Sequence, residues 1–236
     1  GRMHPEVSSF ANRHFYNGQL CPVPLPHQTS TLPYNTYDKA SALQALIATH
    51  RTAFITCPLP KQEERFKTNS HEAQLCAMVV KNIIELYRTN GIPYDAHQTI
   101  GIISPFRGQG ALIRNELSLL DMEEYTQHIS IDTVERYQGS QRDIIIYCTT
   151  ITSPSQMELI VEAIDPTSPI VNQPIDRKLN VALTRARMQL FVIGIPQVLD
   201  TDCNYRALIN ELPQYLHPTA EYCSQSSNNV PKNSGR

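Results

Sequence analysis

The sequence predicts an α/β protein of three layers, with a mainly parallel sheet between two layers of helices. Three observations predict it. Ile144-Ile-Ile-Tyr-Cys148 and Leu190-Phe-Val-Ile193 are unbroken apolar runs, the first rich in β-branched residues. Runs of this kind suit strands buried on both faces. Third, strand-like and helix-like segments alternate over short connections, which gives parallel strands with right-handed crossovers.

The elements follow in order. Residues 2–16 read as a helix, with Pro5 near its start and Val7, Phe10, Ala11 and His14 on one face; Gly18 stops it. Residues 20–37 hold four prolines and read as an extended surface crossing. A helix is expected over 37–50, a strand over 53–57 and an exposed polar loop over 61–69. The longest helix runs from Ser70 to about Thr89 and ends at Asn90-Gly91. Residues 99–104 form a strand, 109–120 a helix, and 129–132 and 143–149 two more strands. Residues 157–172 read as a loop. Asp176 caps a helix that reaches Arg187, a strand covers 189–194, and a last helix covers 204–216. The Ser/Asn-rich end from Cys223 is expected to be disordered. The organisation is then a helix and crossing at 1–37, one domain at 38–217 and a tail at 218–236.

The chain has 236 residues, 41% of them hydrophobic, which is ample for one core. Its net charge of −2 excludes a global basic field, so any nucleic-acid contact must come from a local groove. The six cysteines form no Cys-x-x-Cys pair. Cys57, Cys76 and Cys148 sit in apolar surroundings and read as buried thiols of a reducing compartment, the cytoplasm or nucleus, and no metal site is expected. No apolar run has membrane-spanning length. None of the nine glycines precedes a lysine, so the chain contains no Walker-type phosphate loop.

Four motifs carry a resemblance. Asp132-Thr-Val-Glu-Arg-Tyr-Gln-Gly139 resembles the fifth signature motif of superfamily 1 helicases. Leu179-Asn-Val-Ala-Leu-Thr-Arg-Ala-Arg187 resembles the sixth, and Gly101-Ile-Ile-Ser-Pro-Phe-Arg-Gly-Gln109 the fourth. Arg2-Met-His-Pro-Glu-Val7 is similar to the segment after the third. All four occur in the family's order, and the wording is nearest the branch that includes the nonsense-mediated decay helicase and related 5′-to-3′ enzymes. The resemblance implies a RecA-like domain of the P-loop NTPase fold: the second motor domain, without Walker A, of a larger helicase. Gly1 stands where the family has Tyr and reads as a remnant of cloning.

Hydrolysis of ATP needs positive charge at the γ-phosphate, and an arginine from a second domain is worth roughly 10³–10⁵ in rate. By resemblance that finger is Arg185, placed off the helix stripe of Leu179, Ala182, Leu183 and Ala186. Arg107 is the candidate second ligand; relatives carry that arginine at the position of Gly110, so either Arg107 has taken over or the contact is lost and Arg107 is a solvated loop residue. Gly139, Gln141, Arg142 and Glu72 are the expected nucleotide-side residues. Gln141 stands where the family has a ribose-side glutamate, and Glu72 reads equally as a dipole-favoured carboxylate of a helix start. Ser104, Pro105, Phe106, Thr133 and Gln138 match strand-contacting positions, with Phe106 either stacking on a base or packing in the core. Arg136 is a further phosphate or cleft candidate. ATP and Mg²⁺ would be bound mainly by the first motor domain, which is the expected protein partner; the other partner is single-stranded DNA or RNA. The competing reading is a binding module with a degenerate RecA-like fold, supported only by Gly110 and Gln141. A self-contained nucleotidase is contradicted by the missing Gly-Lys pair.

Overall fold

The computed structural model describes residues 2–60, 67–137, 139–161 and 176–216. Each helix starts where a cap permits it. Helix α1 (Pro5–Phe15) has proline in its first turn, and the His4 Nδ1 accepts from the Glu6 amide at 3.2 Å. Asn17 and Gly18, both at positive φ, end the turn that follows it. Val7, Phe10, Ala11 and Phe15 are its buried residues. His14 instead stacks on the Phe10 ring and meets Glu211 at 2.6 Å. Helix α2 (Ala42–Thr49) is capped by Ser41, five residues later than expected, because the Asp38 carboxylate bonds the Ala40 amide in a turn. Strand β1 is Thr52–Thr56. Helix α3 (Ser70–Thr89) starts at Asn69, whose side chain accepts from the Glu72 amide at 3.1 Å.

Strand β2 (Ile100–Ile103) leads into helix α4 (Arg107–Ser118). A short helix α5 (Glu123–Thr126) precedes strand β3 (Ser130–Asp132), and strand β4 is Arg142–Cys148. Asp176 caps helix α6 (Arg177–Leu183) through its bond to the Leu179 amide, and strand β5 is Ala186–Gly194. Helices α7 (Pro196–Leu199) and α8 (Cys203–Glu211) lead to strand β6 (Gln214–Leu216).

The six strands are all parallel, in the order β3-β2-β4-β5-β1-β6. The central pair, β4 and β5, holds the two apolar runs, and Ile144 to Cys148 are at most 1% exposed. Adjacent strand residues point to opposite faces. The Tyr147 hydroxyl meets that of Tyr205 on α8 at 2.9 Å, whereas Cys148 hydrogen-bonds Cys76 on α3. Helices α3 and α8 therefore cover opposite faces, and the expected α/β, three-layer RecA-like fold is present. The thiol contact with Cys76, together with burial, holds Cys148 well above the ordinary thiol range, so these thiols are inert packing.

Two expectations are corrected. The final helix does not run to Leu216. Pro213 disfavours helical backbone at Leu212, which adopts φ −83° and ψ 143°, and the chain then adds a sixth strand beside β1. The helix of motif six does not reach Arg187 either. It ends at Leu183, because Ala186 pairs with Arg142 in the sheet and the Arg142 amide donates to the Arg185 carbonyl at 3.1 Å. Ladder pairing overrides local helix propensity there. The expected tail at 218–236 and most of the loop at 157–172 lie outside the described residues.

Gly101 shows how tightly β2 is covered. A Cβ there would lie 2.4 Å from the Tyr137 hydroxyl and 2.7 Å from Arg142 Cγ. The Tyr137 hydroxyl bonds the Ser130 carbonyl at 3.0 Å, so the ring cannot move away without losing that bond. Gly101→Ala is expected to cost about 1–3 kcal/mol, the usual range for overpacking. Urea denaturation followed by circular dichroism measures it; an unchanged midpoint would show that Tyr137 does not rest on β2.

Candidate nucleotide and nucleic-acid edges of the sheet

In an open parallel sheet, polar chemistry gathers at the strand ends. Apart from Glu72 and Gln138, the sequence-derived site residues fall into two groups, one at each end of the strands.

The carboxyl edge holds Ser104, Pro105, Phe106, Arg107 and Thr133. Pro105, Phe106, Arg107 and Thr133 line one hollow of about 540 Å³ with Lys67 and Arg136. The first turn of α4 opens there, and its N-cap, Phe106, supplies no side-chain hydrogen bond to the orphan amides. Such a turn, flanked by three cations, suits an anion. Asp132 lies 3.6 Å from Arg136, and Glu135 also lines the hollow, so the basic field is local and moderate. Phe106 is partly buried with the Lys67 ammonium 5.6 Å above its ring. Ser104 lines an adjoining hollow of about 340 Å³ with Phe106, Arg107, Thr133 and Arg136. It is 1% exposed, and its hydroxyl lies 3.2 Å from the Thr150 hydroxyl and 3.3 Å from the Phe106 amide.

The amino edge holds Gly139, Gln141, Arg142 and Arg185. Gly139 takes φ +87°, a left-handed turn that glycine accepts without strain. The Gln141 amide nitrogen lies 3.5 Å from the Thr184 carbonyl, and the Arg142 guanidinium donates to the Gln141 carbonyl at 2.8 Å. Arg185 sits at the helix–strand junction rather than on the helix. Its Nε donates to the Val181 carbonyl at 3.1 Å and its Nη2 to the Thr184 hydroxyl at 3.2 Å. The finger candidate is thus folded back onto the last turn of its own helix. Burial lowers its pKa, yet an arginine stays charged at neutral pH. Arg2, Arg187, Gln98 and Gln141 line a hollow of about 620 Å³ that does not include Arg185. Arg187 is 3.3 Å from Asp143, whose carboxyl burial pushes up despite that arginine.

Arg107 and Arg185 are not brought together, since one follows the carboxyl end of β2 and the other precedes the amino end of β5. Motif five is what joins the edges. Asp132 and Tyr147 both pair with Ile103, so Thr133 emerges level with the end of β4, while Arg142 begins that strand. Five residues at about 3.3 Å each separate the two levels. The intervening chain crosses the face of β2 with Tyr137 pressed over Gly101. Gln138, within it, lies outside the described residues.

Glu72 lies inside the domain, in the first turn of α3. It is fully buried; one oxygen accepts from the Thr149 hydroxyl at 2.9 Å and the other from the Thr150 amide at 2.7 Å. It faces the interior, not a cleft. Gln109 was missed as a functional candidate. Its side chain pairs reciprocally with the Asn69 backbone, accepting at 2.7 Å and donating at 2.9 Å, and so ties the start of α4 to the start of α3. Arg2 and Arg187 were visible inside their motifs, but only the fold places them in one hollow with Gln141.

The fold and its two polar edges define a RecA-like α/β domain. The family described as AAA domain matches residues 2–197. This chain belongs to that family and is a superfamily 1 helicase domain, of the branch that includes the nonsense-mediated decay helicase. The regulator of nonsense transcripts 1 of Dictyostelium discoideum is 29% identical over 215 residues, which are 89% of this chain and 14% of that protein. Helicase SEN1 of Saccharomyces cerevisiae is 26% identical over 211 residues, 89% of this chain and 9% of that protein. The chain thus spans a small part of these relatives. The C-terminal domain of a possible DNA helicase from Lactobacillus plantarum aligns over 78% of this chain and 98% of its own, at 10% identity and a TM-score of 0.35. The fold assignment rests on the sheet order instead. No described helix is long and apolar enough to cross a membrane.

Replacing Gln109 by leucine would leave the Asn69 amide and carbonyl unpaired in a dry interior. The expected loss is about 1–3 kcal/mol, against about 0.5 or less for a solvated loop side chain. Equilibrium unfolding of Gln109→Leu distinguishes the two.

Proposed function

We propose that this chain is the second motor domain of an ATP-dependent nucleic-acid helicase or translocase, supplying one wall of a single-strand groove and an arginine finger. One observation carries the reading. The motif-five segment runs from Thr133, in the cation-lined hollow, to Arg142, bonded to the Arg185 backbone. A single crossing thus touches both the place suited to a nucleic-acid phosphate and the place suited to a nucleotide. A motor needs that connection, because nucleotide state must alter strand grip.

In this reading the carboxyl edge takes the strand. Lys67, Arg107 and Arg136, with the open turn of α4, meet its phosphates, Thr133 contacts its backbone, and Phe106 offers a ring to a base. Arg107 then serves the strand rather than the γ-phosphate. The amino edge takes the nucleotide. Arg185 leaves the Val181 carbonyl to reach the γ-phosphate, with Arg2 and Arg187 adding positive charge and Gln141 available to a ribose hydroxyl. Residues 2–216 include no phosphate loop, so the triphosphate and Mg²⁺ are held mainly by a first RecA-like domain of the same protein, and this chain alone turns over no ATP.

Fluorescence anisotropy with labelled single strands tests the first wall. Binding is expected to be weak, to fall with salt and to ignore base sequence. Lys67→Ala, Arg107→Ala and Arg136→Ala should each lower the salt slope by about one. Tight, salt-insensitive or base-specific binding would instead favour a stand-alone binding module.

In the helicase containing this domain, Arg185→Ala should reduce strand-stimulated kcat by about 10³-fold or more while ATP binding changes little. Arg185→Lys should restore little, because lysine lacks the planar fork. Steady-state hydrolysis with saturating strand reads both, and an unchanged kcat would remove Arg185 from the active site.

A further inference from the structure

We infer that Glu72 and Thr150 set the conformation of the loop at 104–107 from inside the domain, and thereby act as positioning residues for strand binding; the strand part rests on the proposed function of the carboxyl edge. Neither residue reaches solvent, at 0% and 1% exposure.

The geometry starts with a strained turn. Beyond β4 the chain reverses at Thr150, which takes φ +67°. A β-branched residue rarely enters that region, and it persists only where its surroundings hold it there. The holding group is Glu72. One carboxylate oxygen accepts from the Thr150 amide at 2.7 Å and the other from the Thr149 hydroxyl at 2.9 Å. Thr149 lies against Gly194, where a Cβ would come within 2.7 Å of its hydroxyl. The carboxylate sits in the first turn of α3, where the helix dipole favours negative charge.

From Thr150 the connection continues by hydrogen bonds. The Phe106 amide donates to the Ser104 hydroxyl at 3.3 Å, and the Ser104 and Thr150 hydroxyls are 3.2 Å apart. Each hydroxyl also reaches a carbonyl at 3.4 Å, Ser104 that of Phe106 and Thr150 that of Cys148, so either can be the donor between them. Phe106 and Arg107, next along the chain, line the cation-rich hollow. The far end of the loop is tied to α3 as well, through Gln109 and Asn69. The first turn of α3 therefore grips the loop at both ends. Glu72 is the centre of this arrangement, and it influences the hollow without entering it.

Three variants of the chain test the inference with two readouts. Exchange of the Phe106 amide with deuterium, followed by NMR, reads the loop without any strand. Anisotropy with a labelled single strand at low salt reads the hollow. Thr150→Gly removes the hydroxyl and suits the positive φ, so relief of the backbone strain offsets part of the stability lost with the buried side chain. Exchange at Phe106 should nevertheless quicken about five- to tenfold, the worth of one hydrogen bond, with a parallel loss of affinity. Thr150→Ser keeps the hydroxyl and should match the unaltered chain in both readouts. Glu72→Gln, which presents an amide donor where an acceptor is needed, should quicken exchange and weaken binding, with reduced stability. A purely structural role predicts that binding follows stability, and Thr150→Gly separates the two.

Unchanged exchange at Phe106 in both Thr150→Gly and Glu72→Gln would overturn the inference. Faster exchange with unaltered affinity would also overturn it, since the loop would be reset without consequence for the strand. An unaltered chain that binds no single strand defeats the reading of the carboxyl edge and the strand-positioning role with it; the exchange readout alone then tells whether the loop was set from inside.

Discussion

Everything polar in this domain is arranged around one constraint: β4 and β5 are covered on both faces. A parallel strand buried this way has no solvated side on which to carry chemistry. Tyr147 points into α8 and Cys148 into α3, and their neighbours are equally dry. Charged and amide groups are left with the two ends of the strands, where the backbone leaves the sheet. The separation of Arg107 from Arg185 follows directly. So does the need for a segment that runs between the ends.

Motif five is that segment, and its path is determined by packing as much as by hydrogen bonding. Gly101 removes a side chain from β2, Tyr137 fills the space, and the Arg142 stem rests on the same spot. The Arg142 guanidinium lies 5.7 Å from the Tyr137 ring centre. The start of α3 acts on the carboxyl edge. Asn69 and Glu72 use backbone and carboxylate bonds to hold α4 and the end of β4 in register. Buried polar groups fully paired in this manner specify one arrangement, since any other leaves a partner unsatisfied.

Much of this was legible beforehand, for identifiable reasons. Ile144 to Cys148 announces a buried strand because its burial is two-sided and needs no partner pattern to recognise. The long helix was placed to the residue at both ends, because Asn90-Gly91 and the Ser70 start are local signals. The end of α6 was not legible. Thr184 to Met188 is acceptable to a helix, and only pairing with Arg142 turns Ala186 into strand. Strand β6 was hidden for a similar reason, since three residues acquire strand geometry only by lying beside β1. Ser104 and Glu72 looked like surface chemistry because their motifs are polar. Polarity in a sequence does not distinguish a group facing a ligand from one bonded inside the fold.

The sequence by itself determined the fold class, the helicase-type motifs and their order, because apolar periodicity, caps and glycine positions act over a few neighbouring residues. Only the tertiary structure decided which motif residues share an edge. Arg2 and Gln141 meet in one hollow, as do Lys67 and Thr133 in another, although each pair is far apart in the chain. It also decided that Glu72 turns inward and that Arg185 rests on its own helix. The physical reason is the same in each case. Long-range burial and sheet pairing choose a side chain's surroundings, and those energies are set by partners that local sequence cannot name.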